Sequence, residues 1–129
     1  MTLPAPSDWI SLLGRVLMGA IFVWAGYGKA MAPSATIAGF GHLGLPLPGA
    51  AYAVALVIEI GVGILFLVGF KSRLTALVLA AWCIATALVA HDHPGNHEAM
   101  IHFMKNICMA GGLLQIVAFG PGRLSVDRH

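Results

Sequence analysis

Apolar positions in this chain do not recur with a period. They run on, interrupted at long intervals by short polar stretches. Four runs stand out: Trp9 to Ala30 ("WISLLGRVLMGAIFVWAGYGKA"), Ala50 to Phe70 ("AAYAVALVIEIGVGILFLVGF"), Leu74 to Ala90 ("LTALVLAAWCIATALVA") and Glu98 to Phe119, which contains "MIHFMKNICMAGGLLQIVAF". Each is close to the roughly 20 residues that cross about 30 Å of hydrocarbon as a helix. The connections are too short to hold unpaired backbone in lipid, so backbone donors and acceptors must be satisfied inside helices. No run alternates apolar and polar with period two, which excludes a barrel. The pattern predicts an all-α fold, an integral membrane four-helix bundle forming a single domain over residues 1–129, with helices near 9–30, 50–70, 74–90 and 98–119. The first connection, "MAPSATIAGFGHLGLPLPG", carries no acid, lysine or arginine. Pro33 and Ser34 suit the start of a short helix near 34–43, and Gly44 with Pro46 its end. Ile37, Phe40 and Leu43 then share one side, which favours a position along the membrane surface; the alternative is a lid over the bundle.

Composition turns the membrane reading from permitted to required. Of 129 residues, 59% are hydrophobic and 9% charged, against about 25% charged in soluble domains. So few charges cannot clothe a water-soluble globule, and the partner of the apolar surface is the lipid bilayer. The formal charge of +2 comes without a basic cluster, so no nucleic acid is expected. In a four-span bundle both termini and the second connection share a side. That side collects Lys71, Arg73, Arg123 and Arg128, the opposite one only Lys29, so both termini are predicted cytoplasmic. "AMA" at residues 30–32 has the look of a signal-peptide cleavage site. Asp8, the lack of any basic residue before it, and Arg15 and Lys29 in or beside the apolar stretch all argue for retention instead.

Charged side chains inside such runs are expensive and usually have a task. Arg15, Gly19, Phe22, Gly26 and Lys29 share one helical stripe, with Arg15 and Lys29 about 21 Å apart. Snorkelling toward opposite head-group layers is the simple reading, and the favoured one for Lys29. Glu59 lies about 15 Å from both surfaces and cannot snorkel. It must be protonated, paired or hydrated. On the last helix Glu98, His102, Lys105, Asn106 and Met109 share a face. A buried polar site is therefore expected from Arg15, Lys29, Glu59, His102, Lys105 and Asn106. In it Glu59 sits between Arg15 and Lys105, with Asn106 and Tyr27 or Tyr52 adding hydrogen bonds.

The turn "HDHPGNHEAMIHFMKN" gathers His91, His93, His97 and His102. His97 and His102 are five apart and point about 140° away from each other on a helix, unlike the HExxH pair of zinc proteases. Pro94-Gly95 is a turn signal, so a solvated outer turn is favoured. The competing reading is a copper or zinc site on the four histidines with Met100 and Met104. Cys83 and Cys108 fall at similar depths, where a disulfide requires Cα atoms within about 7 Å. Two small apolar fillers are the favoured reading.

Taken in order, "RVLMGAIFVWAGYGKAMAP", "GLPLPG", "EIGVGILFLVGFKSRLTAL" and "HFMKNICMAGGLL" resemble the DoxX family of small, multi-pass bacterial inner-membrane proteins, including its DoxD-like relatives. The likeness runs from Arg15 to Phe119 and places the family's polar residues at Arg15, Lys29, Glu59, Lys105 and Asn106. It implies a membrane subunit of a redox or stress-response assembly, linked to quinone or to thiol and sulfur oxidation, with a soluble or membrane redox partner. The chain has no nicotinamide or flavin fingerprint, no Cys-x-x-Cys and no histidines paired for haem. Electrons would therefore need a membrane quinone, held by His102, Lys105 and Asn106, or a partner subunit. No catalytic residue is assigned. Two alternatives stand beside this one: a metal-handling component using the outer histidines, and a small proton-coupled transporter with Glu59 as carrier. Ala76 with Ala80 and Ala81 with Ala85 form small-xxx-small pairs that suit packing within a bundle or between copies in a homo-oligomer.

Overall fold

In the computed structural model, residues 3–90 and 95–127 are described. Helix α1 spans Pro6–Ala30, α2 Pro33–His42, α3 Pro48–Leu56, α4 Gly63–Val68, α5 Ser72–Ala90 and α6 His97–Phe119, with a π-helical segment, Val57–Val62, joining α3 to α4. Four stretches are long and apolar enough to cross a membrane: Pro6–Ala30, Pro48–Val68, Ser72–Val89 and His97–Phe119. No strand occurs among the described residues.

Helix α1 starts earlier than the apolar run because its first turn is built for starting. Pro6 needs no amide partner there, and the Asp8 carboxylate accepts the Ala5 N–H at 2.7 Å. Its buried residues are Arg15, Gly19, Phe22 and Gly26, the stripe read from the sequence. The glycines let the second rod approach closely. A Cβ at Gly19 would come within 2.6 Å of Leu67 Cδ2, and one at Gly26 within 2.6 Å of Ile60 Cγ1. The core gathers Phe22, Phe66, Leu79 and Leu113 with the small residues Ala76, Ala80, Cys83 and Ala110. Ala76 and Ala80 thus pack inside the bundle, while Ala81 is exposed.

Helices α5 and α6 share the most extensive interface, and α6 meets α1 only sparsely. One such meeting is at Gly112, where a Cβ would overlap the Met18 methyl. Helix α2 packs on α3 and, to a lesser degree, on α1. At the end that carries the termini, residues 120–127 turn back beneath the bundle. Val126 N–H donates to Val68 O and Asp127 N–H to Gly69 O, both at 3.0 Å. The Asp127 carboxylate accepts the N–H groups of Lys71 (2.6 Å) and Ser72 (2.8 Å), capping α5. Gly69, at φ +80°, closes α4 in the left-handed region, and any Cβ there would strike Ser125.

Candidate functional site

The π-helical segment Val57–Val62 carries Glu59. A π turn widens the helix by one residue and changes which side chains face a neighbour; such turns recur at functional sites. Here Glu59 is directed at α1, which Gly26 allows to lie close: a Cβ on Gly26 would be 3.1 Å from Glu59 Cβ. One turn further along α1, Lys29 Nζ reaches Glu59 Oε1 at 2.8 Å, with the glutamate side chain 4% exposed and the lysine 28%. This is a charge-assisted hydrogen bond of the strong kind. Lys29 therefore does not snorkel outward, contrary to the reading favoured from the sequence; it turns to Glu59. Tyr52 Oη donates to Lys29 O at 3.1 Å, fastening α3 to the same end of α1, whereas Tyr27 is exposed.

Arg15 is elsewhere. It is 2% exposed and donates from Nε to Leu67 O (3.2 Å), from Nη1 to Pro121 O (2.8 Å) and from Nη2 to Leu124 O (2.6 Å). The expected placement of Glu59 between Arg15 and Lys105 is thus corrected to a Lys29–Glu59 pair, with Arg15 at the opposite end of the α1 stripe. The planar guanidinium fork suits several carbonyls at a chain reversal, and these are carbonyls of the tail and of α4. Ser11 Oγ adds a bond to Pro121 O at 3.1 Å.

A cavity of about 500 Å³ opens beside the ion pair. Lys29, Glu59, Thr86, Lys105 and Asn106 give it polar groups; Phe22, Phe40, Leu43, Trp82, Cys83 and Met109 are among its apolar walls. Phe40 and Leu43 belong to α2 and its exit, so this short helix contributes to the cavity wall. Asn106 is buried, and its Nδ2 donates to Thr86 Oγ1 at 3.0 Å; Thr86 Oγ1 in turn reaches Trp82 O at 2.9 Å. On α1 the lining residues Ile21, Phe22, Ala25 and Lys29, and on α6 Met109, Asn106 and Lys105, all lie on the loop side of the Met18–Gly112 contact. The two helices touch at that contact, and the cavity lies on its loop side.

Of the residues singled out by sequence, the structure brings Lys29, Glu59, Lys105 and Asn106 around one cavity. His102 is exposed and does not line it. His97 is also exposed, and His91 and His93 lie outside the described residues. Among the described residues no three of His, Cys, Asp and Glu come together in a group that could hold a metal. Both cysteines are free thiols, Cys83 buried and Cys108 exposed. Sequence reasoning missed Thr86 and Trp82, whose only signal was a polar or aromatic residue in an apolar helix. It also missed the tail clamp, whose acceptors are backbone carbonyls that no side-chain pattern announces.

Comparison with known proteins gives a consistent match. A family model described as DoxX matches residues 10–92. The chain is 34% identical over 117 residues to inner membrane protein YqjF of Escherichia coli strain K12, covering 91% of this chain and 88% of that protein. It is 34% identical over 123 residues to inner membrane protein YphA of the same organism, covering 92% and 88%. No solved structure matches.

Proposed function

Because the chain belongs to the DoxX family, we propose that this multi-pass inner-membrane protein is the ligand-binding membrane subunit of a redox or stress-response assembly, and that its cavity holds a lipophilic molecule such as quinone. The observation that carries the reading is the placement of Lys29–Glu59, Lys105 and Asn106 on the wall of a mostly apolar cavity of about 500 Å³. That volume is within the roughly 300–1,000 Å³ typical of small-molecule sites, which pair apolar walls with a few oriented polar groups. Buried charge in a membrane is kept where it serves a site or a pathway. The donor set fits a quinone: the Lys105 ammonium and the Asn106 amide could donate to ring carbonyls, while Phe22, Trp82 and Met109 would supply apolar contact for the ring and tail. His102 does not line the cavity and stands outside this set. When bound, a quinone supplies the two-electron chemistry that the side chains here do not. The chain's part is to hold the head group, exclude water with α2, and present the site to a thiol- or sulfur-oxidising partner. Both termini are assigned to the cytoplasm, since Lys71, Arg73 and Arg123 gather at their end and Lys29 at the other.

Purification in mild detergent, with extraction and identification of bound small molecules, tests this. Quinone should accompany the wild-type protein, and Lys105→Gln combined with Asn106→Leu should lose it while still inserting. A wild-type protein that carries no quinone, and that added quinone does not stabilise against heat, would sink the proposal.

A further inference from the structure

The cavity's charges do not balance. Lys29 and Glu59 neutralise each other at 2.8 Å. Lys105 also lines the cavity, and among the described residues it has no hydrogen-bond or ion-pair partner. The other described acids do not serve it. Asp8 pairs with Arg123 at 3.7 Å, Asp127 caps α5, and Glu98 is exposed in the first turn of α6 and does not line the cavity; Asp92 lies outside the described residues. Lys105 is a point cation with three donors, about 12 Å along α6 from His97 at 1.5 Å per residue. Lys105 is exposed over much of its surface but also borders the apolar cavity, and a cation there gains most from an anion brought by the ligand, because a charge-assisted bond is stronger than a neutral one. Asn106, fixed by Thr86, stands next to it. The remaining lining is mostly apolar, and about 500 Å³ is the size of a site for one small molecule.

We propose that the cavity takes a single-chain acidic amphiphile, its anionic head at Lys105 and Asn106 and its chain along Phe22, Trp82 and Met109. This rests on the reading of the cavity as a ligand site, and not on that ligand being a quinone.

Trp82 lines the cavity, whereas Trp9 and Trp24 are 57% and 79% exposed. A Trp9→Phe/Trp24→Phe protein in neutral phosphatidylcholine nanodiscs therefore reports occupancy through quenching of Trp82. The probes are dibromostearic acid, its uncharged methyl ester, dibrominated phosphatidylglycerol and a short-tailed quinone. The acid should quench at least about tenfold more tightly than its ester, the gain expected of a hydrogen bond to a charged group. Lys105→Gln should erase that difference without weakening the ester, and Lys105→Arg should restore it. Lys105→Glu should instead prefer a brominated alkylammonium, which separates charge recognition from misfolding. Equal affinity of acid and ester in the wild type overturns the proposal while leaving the ligand site standing if ester or quinone still quenches. Phosphatidylglycerol binding as tightly as the acid overturns the single-chain assignment in favour of a lipid head group. Quenching by none of the probes overturns this inference and the ligand site together.

Discussion

At the scale of single residues, the Lys29–Glu59 pair is the most informative contact, because one partner is nearly enclosed and the other reaches it from the next helix. Removing only the carboxylate leaves Lys29 facing a buried neutral group. Glu59→Gln should therefore lower stability by about 2 kcal/mol, the scale of a hydrogen bond between charged partners. The double variant Lys29→Met/Glu59→Leu should cost less than the sum of its single changes, with a coupling of about 1 kcal/mol or more. Thermal unfolding in detergent across the four proteins measures this, and strict additivity would show that the two side chains do not interact. Glu59 was legible as a buried acid needing a partner, because depth follows from counting residues along a rod. Its partner was not legible. The count treats helices as straight and evenly wound, and it made Arg15 and Lys105 look like neighbours. The glycine at position 26 and the π turn bring Lys29 there instead. Gly69 is a second residue with a definite role. Gly69→Ala must force a side chain into the left-handed region and against Ser125, so it should destabilise by more than about 1 kcal/mol, where a helical Gly→Ala such as Gly14→Ala, with open space around it, should not.

At the scale of elements, the four apolar spans were readable because lipid demands continuous apolar length, and helix ends were readable to within a few residues because proline, acid and asparagine mark starts. The π segment was not, and the sequence left the short helix α2 between a surface position and a lid. A widened turn depends on how α3 and α4 pack against α1, and nothing in "VIEIGV" alone requires it. The tail is the element whose loss should be felt most. A chain ending at Phe119 strips two of the three carbonyl acceptors from the Arg15 guanidinium and the carboxylate cap from α5. A buried cation left so exposed to its own desolvation should cost about 3–5 kcal/mol. Arg15→Met in the truncated chain should recover part of that loss, whereas the same change in the full chain should only destabilise. Equal effects of Arg15→Met in both backgrounds would separate the tail from Arg15.

At the scale of the whole molecule, basic residues gather at the end that carries the termini. A fluorescent-protein fusion at the C-terminus should accordingly be bright, and an alkaline phosphatase inserted at Gly95 active; the reverse pattern would invert the bundle. Charge bias was visible in the sequence because it is a sum over residues. The cavity beside the contact of Met18 with Gly112 was not, since it depends on how the helices pack. The clamp at the terminal end also sets an order in time. Leu124 O, which Arg15 Nη2 needs, lies 109 residues downstream of it. At about 5–20 residues per second of synthesis, roughly 5–20 s separate the birth of the guanidinium from that of its acceptor. The first helix must therefore wait at the membrane with its arginine served by water, head groups or the insertion machinery. Closure of the bundle becomes an event that follows translation of the tail and cannot precede it.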